Sequence, residues 1–116
     1  MKLAIVGTRS PSVSYQEWEK LLLSKVDKLE ITEVVSGGAN GIDTYAKIFA
    51  GRHHIPLMEF LPQYSAFGKA APLLRNTQIV REANTVIAFP SADSRGTHHS
   101  ISEARKMGKR LIVVNL

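Results

Sequence analysis

Short apolar runs alternate along the chain with segments whose apolar residues recur at helical spacing. The runs are LAIV (3–6), EVVS (33–36), PLMEF (56–60), TVIAF (85–89) and LIVV (111–114), and each has the length of a strand. Strands that alternate with helices and are apolar on both faces predict a parallel sheet with right-handed crossovers. We therefore expect residues 1–116 to form one α/β domain, a Rossmann-like three-layer sandwich with a five-stranded parallel sheet in the order 3-2-1-4-5.

Four segments carry the helical pattern. Ser14 and Glu17 form a candidate capping box ahead of the first helix, and apolar residues over 42–49 form the stripe of a second. A third helix is expected after the segment 62–72, and a fourth over 101–107. The segment 62–72 is predicted to be a long loop, and such loops often form lids or contact surfaces.

The amino-acid composition excludes several classes of protein. The chain has 44% hydrophobic residues, 22% charged residues and no cysteine, which excludes disulfides and thiolate metal sites. It has no apolar run long enough to span a membrane, and its first residues lack the apolar segment of a signal peptide, so we expect a cytoplasmic protein without membrane contacts. A net charge of +5 and a pI near 9.8 favour an anionic partner.

Ligands of open parallel sheets bind outside the carboxyl ends of the strands, where each strand leads into a helix. The segments that follow the first, second and fourth predicted strands are therefore candidates for the site. Polar and glycine residues dominate all three. The candidate ligand-binding residues in them are Gly7, Thr8, Arg9, Ser10, Ser36, Gly37, Gly38, Ala39, Asn40, Gly41, Asp43, Pro90, Ser94, Gly96 and Thr97.

The stretch VVSGGANGID (34–43) places three glycines between a strand and a helix. Glycines there let backbone N–H groups approach an anion at the positive end of the helix dipole, which predicts a cradle for a phosphate. Alternatively, Gly37 and Gly38 make a tight turn and Gly41 permits close packing. Asp43 either accepts a hydrogen bond from a sugar hydroxyl or caps the helix. The lysine of a P-loop is absent, which argues against ATP hydrolysis.

A second candidate cradle lies in PSADSRGTHH (90–99), where Gly96 and Thr97 open the last helix. Arg75 and Asn76 could reach the same cleft or could only tie down the long loop, and Arg9 could clamp a phosphate or remain solvated. The adjacent histidines at 53–54 and 98–99 point about 100° apart on a helix, so we expect no metal site.

Taken together, IVGTRS, VSGGANGIDTYA, LLRNTQIVREANTVIAF and SRGTHHSISEARKMGKRLIVV resemble the SLOG superfamily over nearly the whole chain. This superfamily includes the DNA-processing protein DprA, the LOG phosphoribohydrolases and small nucleotide-sensing domains. The resemblance implies a Rossmann-like fold, frequent homodimers and a pocket for a nucleotide or an ADP-ribose-like ligand. That pocket would be built from residues 7–10 and 36–41, Arg75 and residues 96–97.

The sequence departs from the enzymes of this group at one position. In LOG enzymes and in deoxyribosyltransferases a catalytic glutamate follows the GT dipeptide, and Ser100 occupies that place here. A serine cannot supply the negative charge that an oxocarbenium-like state requires, so catalysis stays an open question. The remaining carboxylate candidates are Asp43, Asp93 and Glu103.

The sequence therefore predicts a domain that binds a nucleotide or nucleotide-sugar in a glycine-lined cleft and acts as a ligand sensor that requires no cofactor. Two alternatives remain. One is a hydrolase of N-glycosidic or phosphoribosyl bonds related to LOG enzymes. The other is a DprA-like module that binds single-stranded DNA, which the small number of aromatic residues disfavours.

Overall fold

A computed structural model describes all 116 residues and contains a five-stranded parallel sheet in the order β3-β2-β1-β4-β5. The predicted fold class and strand order are confirmed. All pairings between neighbouring strands are parallel. The strands are β1 (Lys2–Gly7), β2 (Glu33–Ser36), β3 (Leu57–Glu59), β4 (Thr85–Phe89) and β5 (Arg110–Val113).

Five α-helices connect these strands. They are α1 (Tyr15–Lys25), α2 (Ile42–Arg52), α3 (Tyr64–Phe67), α4 (Ala71–Glu82) and α5 (Arg95–Lys106), with short 3-10 turns at Lys28–Glu30 and Gly68–Ala70. The Ser14 hydroxyl accepts a hydrogen bond from the N–H of Glu17 at 3.2 Å, so the serine half of the expected capping box is present. No helix is long and apolar enough to cross a membrane.

Two helices differ from the sequence-based expectation. The last helix, expected over 101–107, begins six residues earlier at Arg95. Its first turn contains Gly96, Thr97 and two histidines, which weakened the apolar pattern on which the prediction relied. The long loop over 62–72 contains the single helical turn α3 and a 3-10 turn, both of which are too short to show a helical repeat.

The apolar core lies on both faces of the sheet. One face packs against α1 and α2 through a cluster that includes Trp18, Leu22, Ile42 and Phe49, all fully buried. The other face packs against α4 and α5 through a second cluster that includes Ile79. The central strands β1 and β4 are covered on both sides, so their carboxyl ends open onto the space between the two helical layers.

Candidate functional site

A cleft of about 670 Å³ lies at the carboxyl ends of the central strands β1 and β4. We call it the main cleft. Its walls come from the loop after β1, the loop before α2, the first turns of α4 and the segment that leads from β4 into α5. Its lining residues are Val6, Gly7, Thr8, Arg9, Ser10, Ala39, Asp43, Pro72, Leu73, Arg75, Asn76, Ile79, Ser91, Asp93, Ser94, Arg95, Gly96, Thr97 and Ser100.

Eleven of the predicted ligand-binding residues line the main cleft, and six do not. The six that lie elsewhere are Ser36, Gly37, Gly38, Asn40, Gly41 and Pro90. Pro90 lines a smaller neighbouring cleft. The glycine-rich stretch that dominates the sequence pattern therefore contributes only Ala39 and Asp43 to the lining.

The first turn of α5 presents free main-chain amides to the main cleft. The N–H of His98 donates to the carbonyl oxygen of Ser94, which begins the helical ladder, and the N–H groups of Gly96 and Thr97 donate to no group of the chain. Amides at a helix N-terminus combine with the helix dipole to attract an anion. This turn can therefore hold one anionic group.

The loop before α2 uses its amides differently. The N–H of Ala39 donates to Asp43 Oδ2 at 3.0 Å, and the N–H of Ile42 donates to the carbonyl oxygen of Thr8 at 3.0 Å. Gly41, at φ +76°, packs directly on the backbone of Thr8 and Arg9. The close approach that its glycine permits is therefore an approach between two loops of the protein, and this supports the packing alternative for Gly41.

The charged groups of Asp43 and Arg75 both lie beside the glycine-rich loop, without a salt bridge between them. A Cβ atom added at Gly37 would lie 2.6 Å from Arg75 Nη1 and 3.1 Å from Asp43 Oδ2, so both charged groups lie against this glycine. Burial raises the pKa of the Asp43 carboxyl, and the hydrogen bond from Ala39 and the charge of Arg75 oppose this shift. Burial also lowers the pKa of Arg75.

Arg75 is mainly engaged with the protein itself. Its Nη1 donates to the carbonyl oxygens of Gly37 at 2.7 Å and Phe60 at 3.4 Å, and its Nε donates to Asn76 Oδ1 at 2.9 Å. Asn76 in turn donates to the carbonyl oxygen of Gly96 at 3.3 Å. These bonds tie α4 to the loops after β2 and β3 and to α5. None of them is made to the long loop over 62–72, which the sequence-based alternative named as the partner.

A line of hydroxyl groups crosses the floor between the loops after β1 and β4. The N–H of Ser10 donates to Thr8 Oγ1 at 3.1 Å, Thr8 Oγ1 and Ser91 Oγ lie 3.0 Å apart, and Ser91 Oγ donates to Asp93 Oδ1 at 2.8 Å. Because each hydroxyl has one proton, Thr8 donates to Ser91 when Ser91 donates to Asp93. The line fixes the two loops together.

The carboxylate candidates are dispersed. Asp43 and Asp93 line the main cleft, but Glu103 does not: it contacts the Thr77 hydroxyl at 3.2 Å and His99 at 3.3 Å between α4 and α5. The buried Ser100 hydroxyl donates to the carbonyl oxygen of Gly96 at 3.1 Å. Position 100, where the resemblance to LOG enzymes leads one to expect a glutamate, thus carries a neutral group with an internal partner.

Sequence reasoning did not single out Ser91 or Arg95, although both line the main cleft. Arg95 is the first residue of α5, and an expected helix start at Ile101 left it in a loop. The two serines of SADS could have indicated a helix start near Arg95. In the structure the N–H of Ser91 donates to Ser94 Oγ at 2.8 Å, and Ser94 Oγ donates to the Ser91 carbonyl oxygen at 2.8 Å. Paired serines of this kind often precede a helix.

Exposed apolar side chains occur in the segment that leads into α4. Tyr64 and Phe67 on α3 are 59% and 48% exposed, and Leu73, which lines the main cleft, is 46% exposed. Leu61 and Leu74 are also exposed. The predicted long loop thus presents two aromatic rings to solvent, shortly before the turn of α4 whose Pro72 and Leu73 line the cleft.

Known proteins share parts of this sequence and its fold. Residues 1–64 match a family described as DNA recombination-mediator protein A. The Gene 61 protein of Mycobacterium phage D29 is 37% identical over 81 residues, which are 65% of this chain and 65% of that protein.

Two solved structures have a similar fold. DNA processing protein A (DprA) from Streptococcus pneumoniae aligns with a TM-score of 0.77 and 20% identity over 97% of this chain and 49% of its own. DprA from Helicobacter pylori, whose structure describes a single-stranded DNA binding mode, aligns with a TM-score of 0.73 and 23% identity over 97% of this chain and 64% of its own.

These matches extend over only part of the known proteins, since the chain spans from 49% to 65% of their lengths. They agree with the SLOG resemblance, which is confirmed for its DprA-like branch. The family match includes more than half of the 116 residues. The chain therefore belongs to the DNA recombination-mediator protein A family.

Proposed function

We propose that this chain binds single-stranded DNA and that the phosphate backbone of the strand enters the main cleft. Family membership and the DNA-binding structure of the Helicobacter pylori relative support this proposal. It places the DprA-like alternative ahead of the free-nucleotide sensor that the sequence alone favoured. The net charge of +5 is consistent with a polyanionic partner.

The observation that carries the proposal is the combination of free amides and unpaired arginines in one cleft. Gly96 and Thr97 offer two N–H groups without acceptors. Arg9 and Arg95 line the same cleft, are exposed and form no ion pair with any carboxylate. Amides at a helix N-terminus and guanidinium groups are the donors that proteins use for phosphate.

The exposed rings of Tyr64 and Phe67 add the second component of a single-strand site. Proteins that bind single strands without sequence preference pair a positive groove with aromatic side chains on which bases stack. The sequence has few aromatic residues, which argued against this function, but these two are exposed on α3, which precedes the cleft-lining first turn of α4, and are not part of the core. Their position matters more than their number.

Binding is better supported than glycosidic cleavage. Ser100 is neutral and donates to Gly96, and Glu103 lies outside the cleft. The Asp43 carboxyl lies against Gly37 near Arg75, and Asp93 accepts a hydrogen bond from Ser91 Oγ. None of these arrangements places a free carboxylate pair on opposite sides of one bond, as hydrolysis of a glycosidic bond requires.

A free nucleotide is the second candidate ligand. The volume of about 670 Å³ lies within the range of small-molecule sites, and the same donors could hold its phosphates. A nucleotide that favours the folded form must raise the melting temperature. Thermal unfolding with mononucleotides, ADP-ribose and cyclic dinucleotides, compared with an oligonucleotide, separates the two candidates.

The test of the proposal is fluorescence anisotropy with a labelled oligothymidylate of about twelve nucleotides, a length that covers a typical single-strand site. We expect the wild type to bind this strand, with unlabelled duplex of equal length competing poorly. Affinity should fall linearly with salt on logarithmic axes, with a slope of roughly 0.7 for each phosphate contacted.

Two variants then locate the strand. Arg9→Ala and Arg95→Ala should each weaken binding and reduce the salt slope by about 0.7, while the melting temperature stays unchanged because both side chains are exposed. Lys20→Ala on α1 removes the same charge from an exposed position outside the cleft and is the matched control. Equal losses in all three variants would show a diffuse field effect instead of a site, and no binding at low salt would end the proposal.

A further inference from the structure

A second, smaller cleft adjoins the main cleft and has a different chemical character. This side cleft has a volume of about 470 Å³ and lies where the chain leaves β4 and β5. Thr8, Ser10 and Ser91 line both clefts. The hydrogen bond of 3.0 Å between Thr8 Oγ1 and Ser91 Oγ therefore forms a low ridge between them, and one extended ligand can contact both sides.

The two clefts differ in charge. Arginines and aspartates line the main cleft, whereas no lysine, arginine, aspartate or glutamate lines the side cleft. The side cleft therefore lacks the cationic side chains that pair with phosphate elsewhere in proteins. A neutral group with several hydrogen-bonding atoms fits it better.

The lining of the side cleft matches the chemistry of a nucleobase. The Asn115 side chain offers an amide that can both donate and accept, and Ser12 adds a hydroxyl. The His98 ring is exposed, and its Nε2 lies 3.0 Å from the Ser91 carbonyl oxygen, which holds the ring at the edge of the cleft. Pro90 and Leu116 supply apolar surface on which a flat ring can pack.

We propose that the side cleft receives a nucleobase of the strand whose phosphates lie in the main cleft. The strand crosses the ridge formed by Thr8 and Ser91, so that backbone and base are bound by separate, adjacent surfaces. This inference rests on the proposed binding of single-stranded DNA. It adds a base-binding site that is distinct from the exposed rings of Tyr64 and Phe67, neither of which lines the side cleft.

An abasic oligonucleotide isolates the contribution of the bases, because it keeps every phosphate and lacks every ring. We expect the wild type to bind oligothymidylate roughly tenfold more tightly than an abasic strand of equal length, which is the scale of a base contact. Part of this preference should come from the side cleft and part from Tyr64 and Phe67.

The double variant His98→Ala, Asn115→Ala measures how much of the preference for a strand with bases comes from the side cleft. Both side chains are exposed, so the melting temperature should not change. We expect this variant to lose several-fold in affinity for oligothymidylate and nothing for the abasic strand. Gln16→Ala on α1, exposed and outside both clefts, is the control for truncation of a polar side chain. Arg9→Ala should weaken binding of both strands equally, since it acts on phosphate.

The outcomes separate this inference from the function on which it rests. If the wild type binds neither strand, the proposed function itself fails. If the wild type binds both strands equally, or if the double variant keeps the full preference for bases, DNA binding stands and the side cleft is not a base site. If the double variant loses the same affinity for both strands, the side cleft acts on the backbone and the inference is overturned.

Discussion

Arg75 Nη1 donates a hydrogen bond to the carbonyl oxygen of Gly37 at 2.7 Å. The bond joins α4 to the glycine-rich loop after β2, two parts of the chain that are 38 residues apart. The arginine is 7% exposed, so the bond is shielded from water. The sequence position of Arg75 suggests a phosphate ligand. In the structure its side chain instead links α4 to the loop after β2.

Replacing Arg75 should therefore affect stability as well as binding. Arg75→Ala leaves the Gly37 carbonyl without its partner and removes the bond to Asn76, and loss of buried bonds to a charged group costs about 2 kcal/mol. We expect a lower urea midpoint together with weaker DNA binding. The exposed Arg9→Ala, by contrast, should weaken binding alone. An Arg75→Ala protein with wild-type stability would show that these bonds contribute nothing to the fold.

Gly41 holds the loop before α2 against the loop after β1. At φ +76° it adopts a conformation that other residues rarely take, and a Cβ atom would overlap the backbone of Thr8 and Arg9. We expect Gly41→Ala to destabilise the protein by at least about 2 kcal/mol and to weaken DNA binding by displacing Arg9.

Gly51 provides the matched control for this substitution. It lies in α2, is exposed, and has no atom within 4 Å of an added Cβ. Gly51→Ala should raise stability by roughly 0.5 to 1 kcal/mol, because alanine loses less backbone freedom in a helix. Chemical unfolding of both variants measures the difference. If Gly41→Ala changed the stability no more than Gly51→Ala does, or if both variants were as stable as the wild type, the packing role of Gly41 would be contradicted.

The fold could be predicted from the sequence because its signals are periodic and local. Runs such as TVIAF and the stripe over 42–49 report burial directly, and the expected strand order is the one observed. The apolar stripe alone places the start of α5 too late, at Ile101, because the first turn of the helix is polar. The glycine and threonine at 96–97, considered as a helix start for an anion, indicate the beginning of this helix more closely.

The location of the main cleft could be predicted from the sequence. The contacts that its individual residues make could not. Topology predicts candidate sites at the strand ends, and the loops after β1 and β4 do line the main cleft. The glycines after β2 have two physical meanings, close approach of a ligand and close approach of another loop, and sequence cannot separate them. Gly41 packs on Thr8, a contact between residues 33 positions apart that no local pattern encodes.

Tyr15 should ionise unusually late. Burial raises the pKa of this phenol to about 12 from its ordinary value of 10.0, and the hydrogen bond of 3.0 Å to Glu19 Oε1 adds to the shift. The ultraviolet difference titration between the wild type and Tyr15→Phe should have its midpoint near 12 in the native protein. The same difference measured in denaturant should return to about 10.

This shift also predicts a loss of stability in alkali. A raised pKa in the folded state contributes stability that is fully present below pH 10.0 and is lost as the pH rises through about 12. Wild type should therefore lose more stability than Tyr15→Phe across that interval. A variant that follows the wild-type curve would show that the phenol titrates as freely in the folded chain as in the unfolded one.

Asp43 should limit both stability and DNA affinity at neutral pH. Burial raises the pKa of its carboxyl from the ordinary 3.8, so ionising this group costs more in the folded protein than in the unfolded chain. Asp43→Asn keeps an oxygen that can accept from the N–H of Ala39 and removes a negative charge from the main cleft. We expect higher stability at pH 7 and tighter binding of oligothymidylate. Asp27→Asn, which keeps the cap on Leu29 in an exposed turn, controls for the change in net charge.

The pH dependence of the Asp43→Asn effect distinguishes burial from pairing as the dominant influence on this carboxyl. Because the folded pKa is raised, protonation stabilises the wild type fully below pH 3.8, and that stabilisation is lost as the pH rises through the raised pKa. The advantage of Asp43→Asn should therefore be small in acid, grow as the pH rises through the raised pKa and stay constant above it. Urea unfolding of both proteins from acid to neutral pH measures it. If attraction to Arg75 outweighed burial, the stability of Asp43→Asn relative to the wild type would instead fall as the pH rises. Asp43 would then be a stabilising partner of Arg75.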